Sequence, residues 1–291
     1  MVLETVYHFG NSDKALIIFI HGIGMDMSVW SNPDEARVLG GQYPLRELVG
    51  GEHIELRTSF MDFKDLGYSV LAWSQKRPSG PIKTAVAELC ELVDTYKKYT
   101  EKGVVLIGHS RGGLIGRKYF EEDNCASSGL LTLATPHHGT TMAKWGVLVS
   151  PIASLISHLA EGLTAKEINA AAVRINSFLN SSGLKELLPD SLFYMELSDK
   201  KTKEAHYVSI GGTSPDLLKI GTIPIHELIS KVLPERLIPE EMREGYGDGL
   251  VSCKSAVLPY VDEHRDFHVN HAAMLFDKGV RKYLIDAVKS F

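Results

Sequence analysis

Five residues, Gly108-His109-Ser110-Arg111-Gly112, constrain this chain more than any other stretch. They follow an apolar run, Val104-Val105-Leu106-Ile107, and precede Leu114-Ile115-Gly116-Arg117-Lys118-Tyr119-Phe120, which reads as a helix. A strand, a sharp turn and a helix in that order push the central residue into a strained backbone conformation. They also crowd the positions two before and two after it so closely that little but glycine fits there. Gly108 and Gly112 occupy those positions. The geometry would lift the Ser110 hydroxyl above a sheet edge, over a helix N-terminus that favours developing negative charge. Three fixed positions alone recur by chance about 0.1 times in a chain of this length. The flanking strand and helix are what make the pattern specific, and Ser110 reads as a nucleophile.

The surrounding chain supplies a sheet for such a turn. Apolar runs bounded by turn residues recur at Ala15 to Ile20, Tyr68 to Trp73, Val104 to Ile107, Leu130 to Ala134 and Tyr207 to Ile210, and read as buried strands. Between the second and third, Thr84 to Tyr99 places Val86, Leu89, Cys90, Val93 and Tyr96 on one helical face. Alternating strands and helices predict an α/β fold with a mostly parallel sheet, helices on both faces, and a ligand crevice at the carboxyl ends of the strands. The 291 residues are expected to form a single domain. From about residue 143 to 189 the strand pattern stops and apolar residues fall at helical intervals, predicting an inserted helical cap or lid that could cover an acyl chain. Trp30 to Lys64, with its pairs Gly40-Gly41 and Gly50-Gly51, reads as a surface excursion, and Gly211-Gly212 as the end of a strand.

Composition excludes several classes. A net charge of −5 and the absence of like-charge blocks give no footprint for nucleic acid. No window approaches the roughly 20 apolar residues of a membrane span. The first residues lack a signal-peptide pattern, and Cys90, Cys125 and Cys253 are an odd, scattered set, so a cytoplasmic location is expected.

A serine nucleophile needs an oxyanion hole, a base and an acid that orients the base. One oxyanion donor should be the N–H of Arg111, the residue after the serine. The second should come from the loop after an early strand: His21-Gly22-Ile23-Gly24-Met25 follows Leu16 to Ile20, and Ile23 is assigned, with Gly24 or Met25 as alternatives. In the order serine, acid, histidine, the late candidates among twelve histidines are His264, His268 and His271. His264 and His268 lie in a charged stretch that suits a solvated loop. His271 has small and apolar neighbours that begin a terminal helix running to about Ser290, and is assigned as the base. Asp248, between Gly247 and Gly249 in a tight turn, is assigned as the acid, with Asp216 as its rival.

Together, Gly108 to Gly112, the His21-Gly22 loop, Asp248-Gly249-Leu250-Val251 and Asn270-His271 resemble the bacterial lipase and esterase branch of the α/β-hydrolases. Thr135-Pro136-His137-His138-Gly139-Thr140 adds to the resemblance, since in similar lipases a Thr-Pro-His-x-Gly segment ends the strand after the nucleophile helix and borders the site. His21, Gly22, Gly24, His109 and His137 are thereby placed on loops around it. The resemblance implies the α/β-hydrolase fold and a hydrolase that cleaves carboxylic esters through an acyl-enzyme on Ser110. The expected substrate is a small-molecule or lipid ester, with transient contact to a lipid surface, and the reaction needs no cofactor. An acyltransferase, thioesterase or amidase would use the same three residues. A non-catalytic binding module would be expected to have lost one of them or an elbow glycine, and all are present. Three departures stand out. Such lipases are typically secreted; several bind calcium through an aspartate after the catalytic histidine, where Ala272 and Ala273 stand here; others hold zinc through a His-rich insertion that this sequence lacks. No metal is therefore carried over.

Overall fold

Leu16–Ile20 is five consecutive apolar residues without a charge, and such a run is stable only where both faces and both edges of a strand are covered. The structure, a computed structural model, buries all five completely in the interior of a seven-stranded sheet. It describes residues 3–42, 45, 55–122, 126–143, 173–174, 176–201, 203–217, 219–220, 223–232 and 234–290. The strands are β1 (Glu4–His8), β2 (Leu16–Ile20), β3 (Ser69–Ser74), β4 (Val104–His109), β5 (Ser127–Leu133), β6 (His206–Gly212) and β7 (Glu263–Phe267). Their spatial order is β1-β3-β2-β4-β5-β6-β7; β1 runs antiparallel to β3 and every other pairing is parallel.

The two-residue period of β2 divides the core into two layers. Ile17 and Phe19 pack with Val105 and Ile107 of β4 against Trp30, against Phe60 and Phe63 of α1 (Ser59–Asp65), and against Val280 and Leu284 of a C-terminal helix, Lys278–Lys289. Leu16, Ile18 and Ile20 face the other way. They pack with Leu106 against Ile82, Val86 and Leu89 of α2 (Ile82–Tyr96) and Leu114 and Ile115 of α3 (Arg111–Tyr119). With the C-terminal helix as α4, each face of the sheet carries helices, and each buried Leu or Ile contributes about 1.5–3 kcal/mol of burial. This is the mostly parallel α/β architecture that the apolar runs predict.

Several local expectations are corrected. The charged stretch around His264 and His268 is not wholly a solvated loop: residues Glu263–Phe267 form the edge strand β7, paired in parallel with β6. Glu263, Arg265 and Asp266 are exposed there, which is why no apolar alternation marks the strand. Strand β1, at the other edge, shows no apolar alternation either: Glu4 and His8 are exposed and Thr5, Val6 and Tyr7 are half-buried. The Trp30 to Lys64 excursion is not merely surface, because Trp30, Phe60 and Phe63 are core residues; Gly50-Gly51 lies outside the described residues. Gly211 and Gly212 do end β6, as its last two paired residues and not as part of the loop that follows, and a side chain at Gly211 would press on the Asp266 carboxylate. The terminal helix starts at Lys278 and not beside His271, because Asp277 caps it by accepting the Val280 N–H at 2.9 Å.

The cap expected over 143–189 lies outside the described residues for 144–172 and 175. In its remainder, Phe178, Leu184 and Leu187 are buried. Among the described residues no helix is long and apolar enough to cross a membrane.

Candidate active site

The turn between β4 and α3 has the strain that its glycines imply. Ser110 sits at φ 54° and ψ −128°, a region that costs a non-glycine residue about 1–3 kcal/mol. Three hydrogen bonds hold it there: Ser110 N–H donates to Leu133 O (2.8 Å), while Ser110 O accepts from Gly113 N–H (3.0 Å) and from the Thr135 hydroxyl (3.0 Å). A Cβ on Gly108 would lie 2.5 Å from Gly113 N, and one on Gly112 would lie 2.3 Å from Ile20 O. Both contacts are with backbone, so neither can yield cheaply.

Asp248 and His271 are brought together at the carboxyl end of the sheet. His271 Nδ1 donates to Asp248 Oδ2 at 2.9 Å, and the His271 N–H donates to Asp248 O at 3.0 Å. Asp248 Oδ1 accepts the N–H groups of Leu250 (2.9 Å) and Val251 (2.7 Å), so the fully buried carboxylate is held by its own turn as well as by the imidazole. The rival residues are engaged elsewhere. Asp216 Oδ1 lies 3.1 Å from His226 Nδ1; His264 Nδ1 meets the Ser209 hydroxyl at 2.7 Å; His268 is an exposed side chain beside Thr213. Among the described residues, no cluster of three or more His, Cys, Asp or Glu side chains could hold a metal ion.

The two segments expected to supply oxyanion donors are tied together through the side chain of Arg111. As the first residue of α3, Arg111 has a backbone N–H without an intrahelical acceptor. Its guanidinium runs beneath the site, fully buried, donating to Gln75 Oε1 (2.7 Å) and Gly80 O (2.6 Å). Desolvation lowers its pKa to about 10, which leaves it charged at neutral pH. Gln75 in turn grips the other loop: its side-chain amide donates to His21 O (3.1 Å) and its N–H donates to His21 Nε2 (3.1 Å). His21 Nδ1 donates to Gly22 O at 2.8 Å. The Arg111 guanidinium, Gln75 and His21 thus tie the residue after the serine to the loop bearing Ile23. Gly24 N–H is consumed by Pro78 O (3.0 Å), which removes it as an alternative donor and leaves Ile23 or Met25.

Burial keeps the surrounding histidines neutral. Desolvation lowers His21 to about 4 and His109 to about 3, and it pushes His137 well below the usual imidazole range. His109 Nε2 donates to His271 O, so His109 supports the His271 backbone from behind. His137 does not reach the cavity. Its ring points into the core, 3.0 Å from the Thr132 hydroxyl, and only Pro136 and Thr140 of its segment line the site.

Ser110 and His271 open onto one cavity of about 140 Å³. Ile23, Met25, Leu39, Met142, Phe178, Leu217 and Leu250 wall it, and the remaining polar side chain, Thr140, is turned away to donate to Leu250 O (2.6 Å). The cavity therefore offers an apolar chain no competing hydrogen bond. Two residues, one that ties the loops beside the cavity and one that lines it, carry no motif in the sequence. Gln75 follows β3 at the carboxyl end of the sheet, where position alone could have flagged it. Leu39, at φ 52° in a tight hairpin with Gly40, gives no signal in the sequence.

A mostly parallel sheet with this serine on its strand–turn–helix elbow makes the protein an α/β-hydrolase. A family model described as palmitoyl protein thioesterase matches residues 17–210. The chain belongs to the palmitoyl protein thioesterase family, among the α/β-hydrolases of the esterase, lipase and thioesterase type.

Solved structures share the fold at low identity. The Bacillus licheniformis lipase BlEst2 in its propeptide form is 16% identical with a TM-score of 0.61, covering 97% of this chain and 53% of that one. This chain thus spans about half the length of that protein. The mature form of BlEst2 is 16% identical with a TM-score of 0.55, over 98% and 97% of the two chains. The metagenomic carboxyl esterase MGS0156 is 12% identical with a TM-score of 0.56, over 97% and 76%. No curated protein matches the sequence.

Proposed function

We propose that the protein is a serine hydrolase of carboxylic esters that works through an acyl-enzyme on Ser110. The observation that carries this reading is the joint opening of Ser110 and the Asp248-bound His271 onto an apolar cavity. His271 Nε2 takes the Ser110 proton as Oγ attacks the acyl carbonyl, and Asp248 fixes the tautomer and stabilises the imidazolium. The tetrahedral oxyanion is held by the N–H of Arg111 and a second donor on the Ile23 loop, for which Ile23 remains the assignment. Collapse expels the leaving alcohol, protonated by His271. Water, deprotonated by the same imidazole, then releases the acid and restores the Ser110 hydroxyl.

Apolar walls favour medium or long acyl chains over acetate. Contact with a lipid surface is supported by Leu192 and Met195, 73% and 71% exposed and three residues apart on the helix Leu192–Glu196. A thioester in place of the oxygen ester is the second reading, favoured by the family match; the same residues would then expel a thiol.

The test is turnover of p-nitrophenyl esters and of thioesters of matched chain length by the protein and by Ser110→Ala, with fluorophosphonate labelling mapped to its peptide. Labelling at Ser110, with activity lost in the variant, supports the reading, and the ratio of ester to thioester rates chooses between its two forms. Absence of both turnover and labelling would reject it.

A further inference from the structure

Beyond Leu39 and Phe178, on the far side of the wall they share with the Ser110 cavity, lies a second concavity of about 770 Å³. Its size falls within the usual range for a ligand site. Its character is opposite to that of the first. The charged side chains lining it are Arg77 and Arg174, and no carboxylate lines it among the described residues. Neither arginine is in an ion pair among the described residues, and Arg174 Nε is a buried donor without a hydrogen-bond partner among them. Ser79, Asn176 and Ser177 add hydroxyl and amide groups to the lining. In a chain of net charge −5, a hollow with two cations and no carboxylate among its described lining residues is a local reversal of sign.

The hollow also has a definite place in the reaction. Gly24 lines it, one residue beyond Ile23, and Pro78, whose carbonyl holds the Gly24 N–H, forms another part of its wall. An ester seated with its acyl chain in the apolar cavity and its carbonyl at Ser110 must send its leaving group out past a different wall. The wall formed by Leu39 and Phe178 is the one with the arginines on its other side.

We propose that this groove binds a phosphate group carried on the leaving-group side of the substrate, so that the enzyme selects acyl compounds whose alcohol or thiol part is a phosphate ester. The proposal rests on acyl transfer at Ser110. Guanidinium groups match phosphate oxygens as forked, charge-assisted donors, and neither Arg77 nor Arg174 has to leave an ion pair with a described residue to engage one. Two sources share this chemistry: a nucleotide-type thiol carrier and a phosphorylated glycerol headgroup.

The experiment combines binding and selectivity. Calorimetric titration of the protein with coenzyme A and, separately, with glycerol 3-phosphate is compared with the same titrations of Arg77→Gln/Arg174→Gln. In parallel, the ratio of kcat/KM for octanoyl-coenzyme A to that for the octanoyl thioester of N-acetylcysteamine is measured in both proteins. The expected result is saturable binding of at least one phosphate compound, weakened about tenfold or more in the double variant and by added salt, with a matching fall in the ratio. The stronger of the two ligands identifies the source. No binding of either compound, or binding and a ratio that the double variant leaves unchanged, would overturn the proposal. If phosphate binds but no ester or thioester is cleaved, it is the acyl-hydrolase reading that fails; cleavage without phosphate binding removes the groove proposal alone.

Discussion

His109 Nε2 donates a hydrogen bond to the carbonyl oxygen of His271 at 3.0 Å, with the two rings 4.8 Å apart. The residue before the nucleophile thereby braces the segment that carries the proposed base. His109→Leu keeps the volume and loses the bond, leaving a buried carbonyl unsatisfied at a cost of about 1–3 kcal/mol. The expected result is a lower urea midpoint together with a fall in kcat of about tenfold or more, since the imidazole is then less firmly held. Activity equal to that of the parent would mean that the brace does not position the base.

Gln75 is the coupling between the two halves of the proposed oxyanion hole. Gln75→Leu removes the acceptor of a buried guanidinium and the side-chain donor to His21 O. A kcat loss of about 10–100-fold with little change in KM is expected, because the oxyanion exists only after attack. A rise in KM at constant kcat would place Gln75 in ground-state binding instead.

Asp248→Asn preserves shape but replaces the acceptor that sets the His271 tautomer. Loss of kcat on the order of 10³–10⁴-fold is expected, read with an activated ester under single-turnover conditions. A loss below tenfold would sink the assignment of Asp248.

Acid stability should follow from the buried neutral histidines. His21 and His109 titrate near 4 and 3 when folded, against about 6.5 when unfolded. Between those values the unfolded chain binds more protons than the folded one, so their stabilising contribution is complete above about pH 6.5 and declines as pH falls toward the folded values. Each group contributes roughly 1 kcal/mol of slope per pH unit within its window. Urea unfolding at pH 7, 6 and 5 should show the decline, and His21→Gln should flatten it. An unchanged slope in that variant would contradict the prediction.

Gly112→Ala drives a methyl group into Ile20 O at 2.3 Å. A stability loss of about 3 kcal/mol or more is expected, measured by chemical denaturation. A variant as stable as the parent would show that the elbow is less tightly packed than described.

What could be read in the chain depended on whether a residue's role was written locally. The interior strands announced themselves through Leu16 to Ile20 and Val104 to Ile107, because full burial demands apolar runs. The elbow was legible because its glycines are forced by backbone contacts a few residues away or at the neighbouring strand. β1 and β7 were not, since an edge strand needs only one partner and tolerates the charges of Glu263, Arg265 and Asp266. Asp248 and His271 could be ranked by turn chemistry and chain order. The role of Gln75 could not, because it comes from contacts to residues 54 positions earlier and 36 later. For the same reason the inward turn of His137 was invisible: its partner Thr132 decides it, and a Thr-Pro-His motif says nothing about which way the ring faces.

The placement of β2 also bears on how the protein comes into being. Its partners on either side are residues 69–72 and 104–108, so the first wholly apolar strand to be synthesised stays without either neighbour until much more of the chain has appeared. Such non-local pairing is slow, and a five-residue aliphatic and aromatic tract waiting for it is sticky. The same residues that make the finished sheet secure are therefore the ones a nascent or refolding chain must keep away from other copies, and yields on refolding should fall steeply with protein concentration.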